Sequence, residues 1–206
     1  MPISQENIVW IDCEMTGLDL AKDALVEVAC IVTDSELNPL GEGVDVVIRP
    51  SAEAVAGMND FVRAMHTNSG LITELDSGVS MAEAQKVIMD CIREHCPEPK
   101  KALLAGNSVG TDKAFLARDM PEVIDHLHYR LIDVSTIKEL ARRWYPRAYF
   151  KAPAKTGNHR ALGDILDSIA ELRYYRETVF VPAPGPDSAA AEAAARRVAG
   201  GPSSGS

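Results

Sequence analysis

The run Ile8-Val9-Trp10-Ile11-Asp12-Cys13-Glu14 constrains this chain more than any other, because it reads as a buried strand that runs into two carboxylates. Side chains alternate across a strand with period two. Asp12 and Glu14 therefore share one face, while Ile11 and Cys13 share the other. Two carboxylates side by side at a sheet edge repel unless something positive sits between them. Hard divalent cations such as Mg²⁺ and Mn²⁺, which take oxygen ligands, are the usual answer. The strand predicts a metal-dependent enzyme.

Two more acids fall in places that suit a ligand. Asp112 follows the loop Gly106-Asn107-Ser108-Val109-Gly110 near a predicted helix start, and Asp164 lies in the first turn of a predicted last helix. Helix N-termini favour negative side chains. His159 precedes Asp164 by five residues, about 140° round a helix of 3.6 residues per turn. The two would not share a helical face. His159 is therefore expected in the preceding loop, free to swing toward the acids as a base.

The rest of the chain supplies a scaffold for those groups. Residues 25–33 and 43–49 read as two further strands, parted by turn signals at Asp34-Ser35 and Asn38-Pro39. Residues 59–66 look helical. Ser80 and Glu83 form a capping box, opening a helix with an apolar stripe of Ala84, Val87, Ile88, Cys91 and Ile92. Residues 102–105 and Leu131-Ile132 read as short strands, Ser135 as the cap of a helix over 136–144, and residues 161–178 as the last helix, with Leu162, Ile165, Leu166, Ile169 and Leu172 on one face. Early strands followed by alternating helices and strands predict an α/β mixed β-sheet flanked by helices.

Composition limits the partners. At 206 residues the chain suits one sizeable domain, expected over 1–180. From 181 to 206 it is mostly Ala, Pro, Gly and Ser. Such a tail buries too little apolar surface to offset its ordering entropy and is expected to be disordered. No run approaches the ~18 apolar residues of a membrane span, and the first residues have no signal-peptide pattern. The cytoplasm is the expected compartment, with no membrane partner. The four cysteines lack CxxC spacing and read as reduced thiols. A net charge of −9 argues against a grip on long-duplex nucleic acid. Arg130, Lys138, Arg142, Arg143, Arg147, Lys151, Lys155 and Arg160 make a local basic stretch that either meets an anionic substrate beside the metals or forms a solvated surface.

Three ordered segments, Ile11 to Leu18, Gly106 to Asp112 and His159 to Ile165, resemble the exonuclease motifs of the DEDDh nucleases. That superfamily includes ribonuclease T and polymerase proofreading domains. Within it, the chain is most similar to the oligoribonuclease family, over roughly residues 7–180. The resemblance implies a ribonuclease H-like fold and a homodimer. It implies 3′-to-5′ hydrolysis of short RNA oligonucleotides, especially dinucleotides, to 5′-mononucleotides. Carried over by position, Asp12, Glu14, Asp112 and Asp164 would hold two divalent cations, Mg²⁺ or Mn²⁺, and His159 would take the proton of the attacking water. Leu18 would wedge between two bases, and Phe61 and His66 would lie near the 3′ nucleotide. Ser108, Arg130, Ser135 and Thr136 would cap a 5′ phosphate, with Tyr129 reaching in from the partner subunit. Relatives often carry Trp at the position of Phe61, a longer polar residue at Thr111 and an acid at Gly163.

Other readings stay open from the residues alone. An exonuclease of the same superfamily acting on DNA or longer RNA fits the same motifs. A metal- or RNA-binding module that is not an enzyme would have no need of all four acids and His159. Asp12-x-Glu14-x-Thr16 also resembles the nucleophile motif of haloacid-dehalogenase-type phosphatases, but the extra methylene of Glu14 would displace the general acid there.

Overall fold

The computed structural model describes residues 6–155 and 159–200. The first five residues, residues 156–158 of the loop before the last predicted helix, and the end of the predicted tail lie outside them. The chain runs β1 (Ile8–Met15), β2 (Leu25–Thr33), β3 (Val44–Val47), α1 (Ala52–Gly57), α2 (Asp60–Asn68), α3 (Met81–His95), β4 (Leu103–Gly106), α4 (Gly110–Asp119), α5 (Pro121–His126), β5 (His128–Asp133), α6 (Val134–Trp144), α7 (Pro146–Tyr149), α8 (Ala161–Thr178) and α9 (Ser188–Ala199). Short 3-10 turns at Leu71–Thr73 and Leu75–Ser77 link α2 to α3.

The strands form one mixed sheet in the order β3-β2-β1-β4-β5. β1 pairs antiparallel with β2 and parallel with β4. It is the central strand, not an edge, so the carboxylates sit at the end of the best-supported strand in the sheet. Helices cover both faces, which explains why all nine residues of β2 are buried. The period-two reading holds along β1. Val9, Ile11, Cys13 and Met15 join a core with Ile88, Ile92, Phe115 and Leu116 of α3 and α4. Trp10 faces the other way, packing with Ala161, Ile165 and Ile169 of α8. Asp12 and Glu14 continue that second face.

Helix ends follow local chemistry. The predicted capping box is present, with Ser80 and Glu83 bonding each other's backbone amides. Asp133, not Ser135, caps α6, its carboxylate accepting from the Ser135 amide. Either residue type can cap, and Asp133 wins because β5 delivers it in extended geometry one position before the helix. The apolar stripe of α3 is narrower than expected. Val87 is exposed and Cys91 half-buried, while Met89 takes a core place. Leu166 of α8 is likewise exposed. Within the stretch expected to lack structure, α9 is helical, capped by Asp187, and buries none of its residues. Among the described residues, no helix is long and apolar enough to cross a membrane.

Candidate active site

β1 brings Asp12 and Glu14 to the end of the sheet, and the first turn of α8 brings Asp164 beside them. Each of the three offers an oxygen within 4.8 Å of the others. Asp112 arrives from the first turn of α4 and is buried. Its Oδ1 accepts a 3.0 Å hydrogen bond from the Cys13 amide, which anchors α4 to β1 between the two strand acids.

These carboxylates share one electrostatic problem. Burial, then repulsion from Asp112, Asp164 and Glu14, pushes the Asp12 carboxyl up to about 9. Burial and the charges of Asp164, Glu27 and Asp112 push Glu14 up to about 8. Asp112 is raised to about 6, chiefly by burial, against the Cys13 hydrogen bonds that pull it down. Burial also raises Asp164, with Lys155 and His159 pulling the other way. Acids raised by burial and by one another must hold protons or meet a cation. An all-oxygen donor set of this kind fits a hard divalent ion. His159 stands at the rim, exposed, in the loop immediately before α8 with φ of 50°.

The other expected contact residues divide by exposure. Leu18 on the β1–β2 loop, Phe61 on α2 and Tyr129 on β5 are 78%, 76% and 71% exposed. His66 is fully buried and lies beside Glu14 of the acid cluster. Its Nε2 donates to the Met15 carbonyl at 2.9 Å, and Nδ1, without a hydrogen-bond partner, lies 4.0 Å from Glu14 Oε2. Ser108 and Ser135 share a 2.9 Å hydroxyl hydrogen bond, and both backbone amides donate to Asp133 Oδ1. Thr136, exposed on the next position of α6, lines a cavity with Ser135, Lys138 and Tyr149. Arg130 pairs with its neighbour Tyr129, Nε to hydroxyl at 3.2 Å.

A family model described as an exonuclease matches residues 9–172. The chain is 65% identical to an oligoribonuclease of Streptomyces griseus over 94% of this chain and 96% of that one. It is 58% identical to an oligoribonuclease of Mycobacterium tuberculosis, over 89% of this chain and 86% of that one. The chain belongs to the oligoribonuclease family. As a member it is an exoribonuclease, from a group of exonucleases that use divalent metal ions. The fold is also that of Escherichia coli exonuclease I, solved with zinc and single-stranded DNA. That match has a TM-score of 0.67 at 15% identity, over 85% of this chain and 41% of that one.

Two structural features are not evident from the three motifs. The basic stretch is largely spent within the protein: Arg142 and Arg143 bond Glu139, Lys138 lies 3.1 Å from Glu171, and Arg160 bonds Glu27 and Glu74. Glu27 itself is fully buried and pairs directly across from Glu14. A lone acid in the apolar run Leu25 to Thr33 was the available signal.

Proposed function

We propose that this chain hydrolyses short oligoribonucleotides from the 3′ end, dinucleotides foremost, releasing 5′-mononucleotides. The observation that carries this reading is the convergence of Asp12, Glu14 and Asp164 within 4.8 Å at the end of the central strand, with His159 at its rim. In this reading Asp12, Glu14, Asp112 and Asp164 hold two divalent cations, Mg²⁺ or Mn²⁺. Such a pair, when bound, stabilises the attacking and leaving oxygens of an in-line displacement at phosphorus. His159 accepts the proton of the attacking water. Its exposed place beside the acids supports that role, because a base must reach solvent and release the proton again.

Substrate length follows from the periphery. Leu18 and Phe61 offer apolar surface to two bases, and Ser108, Ser135, Thr136 and Arg130 cap the 5′ phosphate. Tyr129 and Arg130 lie on β5, at the edge of the sheet. In a homodimer they would serve the neighbouring site. Buried His66 lies near the 3′ nucleotide in this reading, reaching it through its place beside Glu14. A capped dinucleotide needs few phosphate contacts, which reconciles a nuclease with a net charge of −9. The catalytic unit is residues 1–180, with 181–206 outside it, and the enzyme works in the cytoplasm.

A length series of 5′-labelled RNAs from two to about ten nucleotides, with Mg²⁺ or Mn²⁺, tests the reading. A matched deoxydinucleotide reports on DNA. Dinucleotide RNA should be the best substrate, and equal efficiency across all lengths would replace this reading with a general exonuclease.

A further inference from the structure

His159 lies in the loop one residue before the cap of α8, and the first turn of that helix carries Asp164. Its local sequence gives it no side-chain cap: Arg160 occupies the cap position in extended geometry but does not bond the helix amides. The cap comes instead from the sheet, where Glu27 Oε2 accepts from the Ala161 amide at 3.0 Å. The other oxygen of Glu27 accepts from Arg160 Nε at 2.7 Å. The remaining guanidinium nitrogens donate to both oxygens of Glu74 at 2.9 and 3.0 Å. One arginine thus ties α8, β2 and the 3-10 turns beside α2 into a single polar joint. Burial alone would lower the Arg160 guanidinium, but its bonds to Glu74 and Glu27 outweigh that and raise it.

Docking of α8 does not require this joint, since Ala161, Ile165 and Ile169 are already buried in the core. What the apolar face leaves loose is the polar end, where small rotations move carboxylate and imidazole. His159 is also held at φ of 50°, uncommon for a residue with a side chain. Such a conformation persists only where its surroundings over-determine it, and the adjoining residue here is forked between two acids. We propose that Arg160 is a positioning residue for hydrolysis, and that its clamp on Glu27 and Glu74 sets His159 and Asp164 in register with β1. This rests on the reading of His159 as the base and Asp164 as a ligand. A lysine cannot reproduce the clamp, because its single ammonium lacks the planar fork that spans two carboxylates.

The test uses the full chain, a 5′-phosphorylated dinucleotide, and the variants Arg160→Lys, Glu74→Gln and His159→Ala. Misplacement by about 1 Å can cost about 10²-fold in rate, so Arg160→Lys should lower kcat by roughly 10- to 100-fold with KM nearly unchanged. Glu74→Gln, which keeps the shape and loses the charge at a half-exposed site, should lower kcat by roughly 3- to 10-fold on the same grounds. In the metal-free protein, amide exchange over Ala161 to Asp164 should quicken in both variants, a local opening that leaves core amides protected. Adding Arg160→Lys to His159→Ala should cost less than it does alone, because the share acting through His159 is already lost and only the share through Asp164 remains. If Arg160→Lys does not fold, Glu74→Gln carries the same readouts. Normal kcat with unchanged exchange in the folded variants overturns the inference, as does full additivity with His159→Ala. Should His159→Ala itself turn over normally, the base reading fails first and the clamp has nothing to aim.

Discussion

The acidic floor of the site and its apolar rim are built in opposite ways. The floor is buried: Glu14 and Asp112 are under a tenth exposed, and both are locked to the central strand. The residues proposed for the rim, Leu18, Phe61 and, from a partner subunit, Tyr129, are more than two thirds exposed. Burial would suit the floor to the metal-binding role proposed for it, because charge confined away from water must be neutralised by something specific. Exposure would suit the rim to the substrate-contact role proposed for it, since an apolar surface left in water gains most when a base covers it. Removing a floor residue should therefore abolish turnover, whereas removing a rim residue should shift which RNA is preferred.

The largest effect tests the floor. Asp12→Ala, Glu14→Ala, Asp112→Ala and Asp164→Ala should each cut kcat by roughly 10³-fold or more, the scale of losing several kcal/mol of metal-ion stabilisation. The fold should survive, and without added metal it should be steadier than wild type above neutral pH. The sign follows from Asp12 and Glu14, raised to about 9 and about 8. The folded protein holds protons there that the unfolded chain has released, so metal-free stability falls as pH climbs from about 4 toward about 9. Asp12→Asn should flatten that slope in melting curves, and Mn²⁺ should raise the wild-type melting temperature most near pH 8. A melting temperature that climbs with pH in the metal-free protein would contradict the shared-charge floor.

Next comes His159, which stands between the two regions. His159→Ala should lower kcat by roughly 10²- to 10⁴-fold, the usual share of a general base, with KM little altered. Higher pH should recover part of the rate by supplying hydroxide. Loss of affinity with kcat intact at saturation would move His159 to the rim class.

The same division governs what could be read from sequence. The floor was legible because period two along β1 and position in a helix's first turn are local facts about residues 12, 14, 112 and 164. The joint behind it was not, because the burial of Glu27 makes sense only beside Arg160, 133 residues later. The burial of His66 was not legible from sequence either. A position on α2 does not say which way the helix faces, and the structure turns it inward to the Met15 carbonyl. Ser135 was misread as a cap for a comparable reason. Asp133 takes the helix amide, which frees the Ser135 hydroxyl to bond Asn107 and Ser108.

Arg130 probes the rim at its charged end. A charge-assisted hydrogen bond is worth about 1.5–3 kcal/mol, so Arg130→Ala should weaken 5′-phosphorylated dinucleotides by roughly 10- to 100-fold. If longer RNAs leave the proposed cap unused, they should lose much less. Mixed with Asp12→Ala protein under subunit exchange, Arg130→Ala protein should regain activity if the arginine serves the partner's site. No recovery after verified exchange would assign each site to a single chain.

The smallest expected effects lie at the apolar rim, where Phe61 and Leu18 are exposed and make little of the fold. Stacking of a base on an aromatic ring is worth about 1–3 kcal/mol, and phenylalanine, the smallest aromatic hydrocarbon side chain, belongs near the lower end. Phe61→Ala should raise the dinucleotide KM about fivefold and leave kcat near wild type. Phe61→Trp should tighten it, since indole offers a larger face. Leu18→Ala should cost about as little in KM on a dinucleotide. It should also narrow the gap between a dinucleotide and a ten-nucleotide RNA, because a shorter side chain no longer fills the space between two bases. Melting temperature should hardly move for either variant, as neither side chain packs into the core. A Leu18→Ala enzyme with unchanged length preference would leave the 5′ phosphate cap as the sole source of selectivity. A fall in kcat with KM unchanged would instead mean that the β1–β2 loop helps to set the floor, and that rim and floor are not separable.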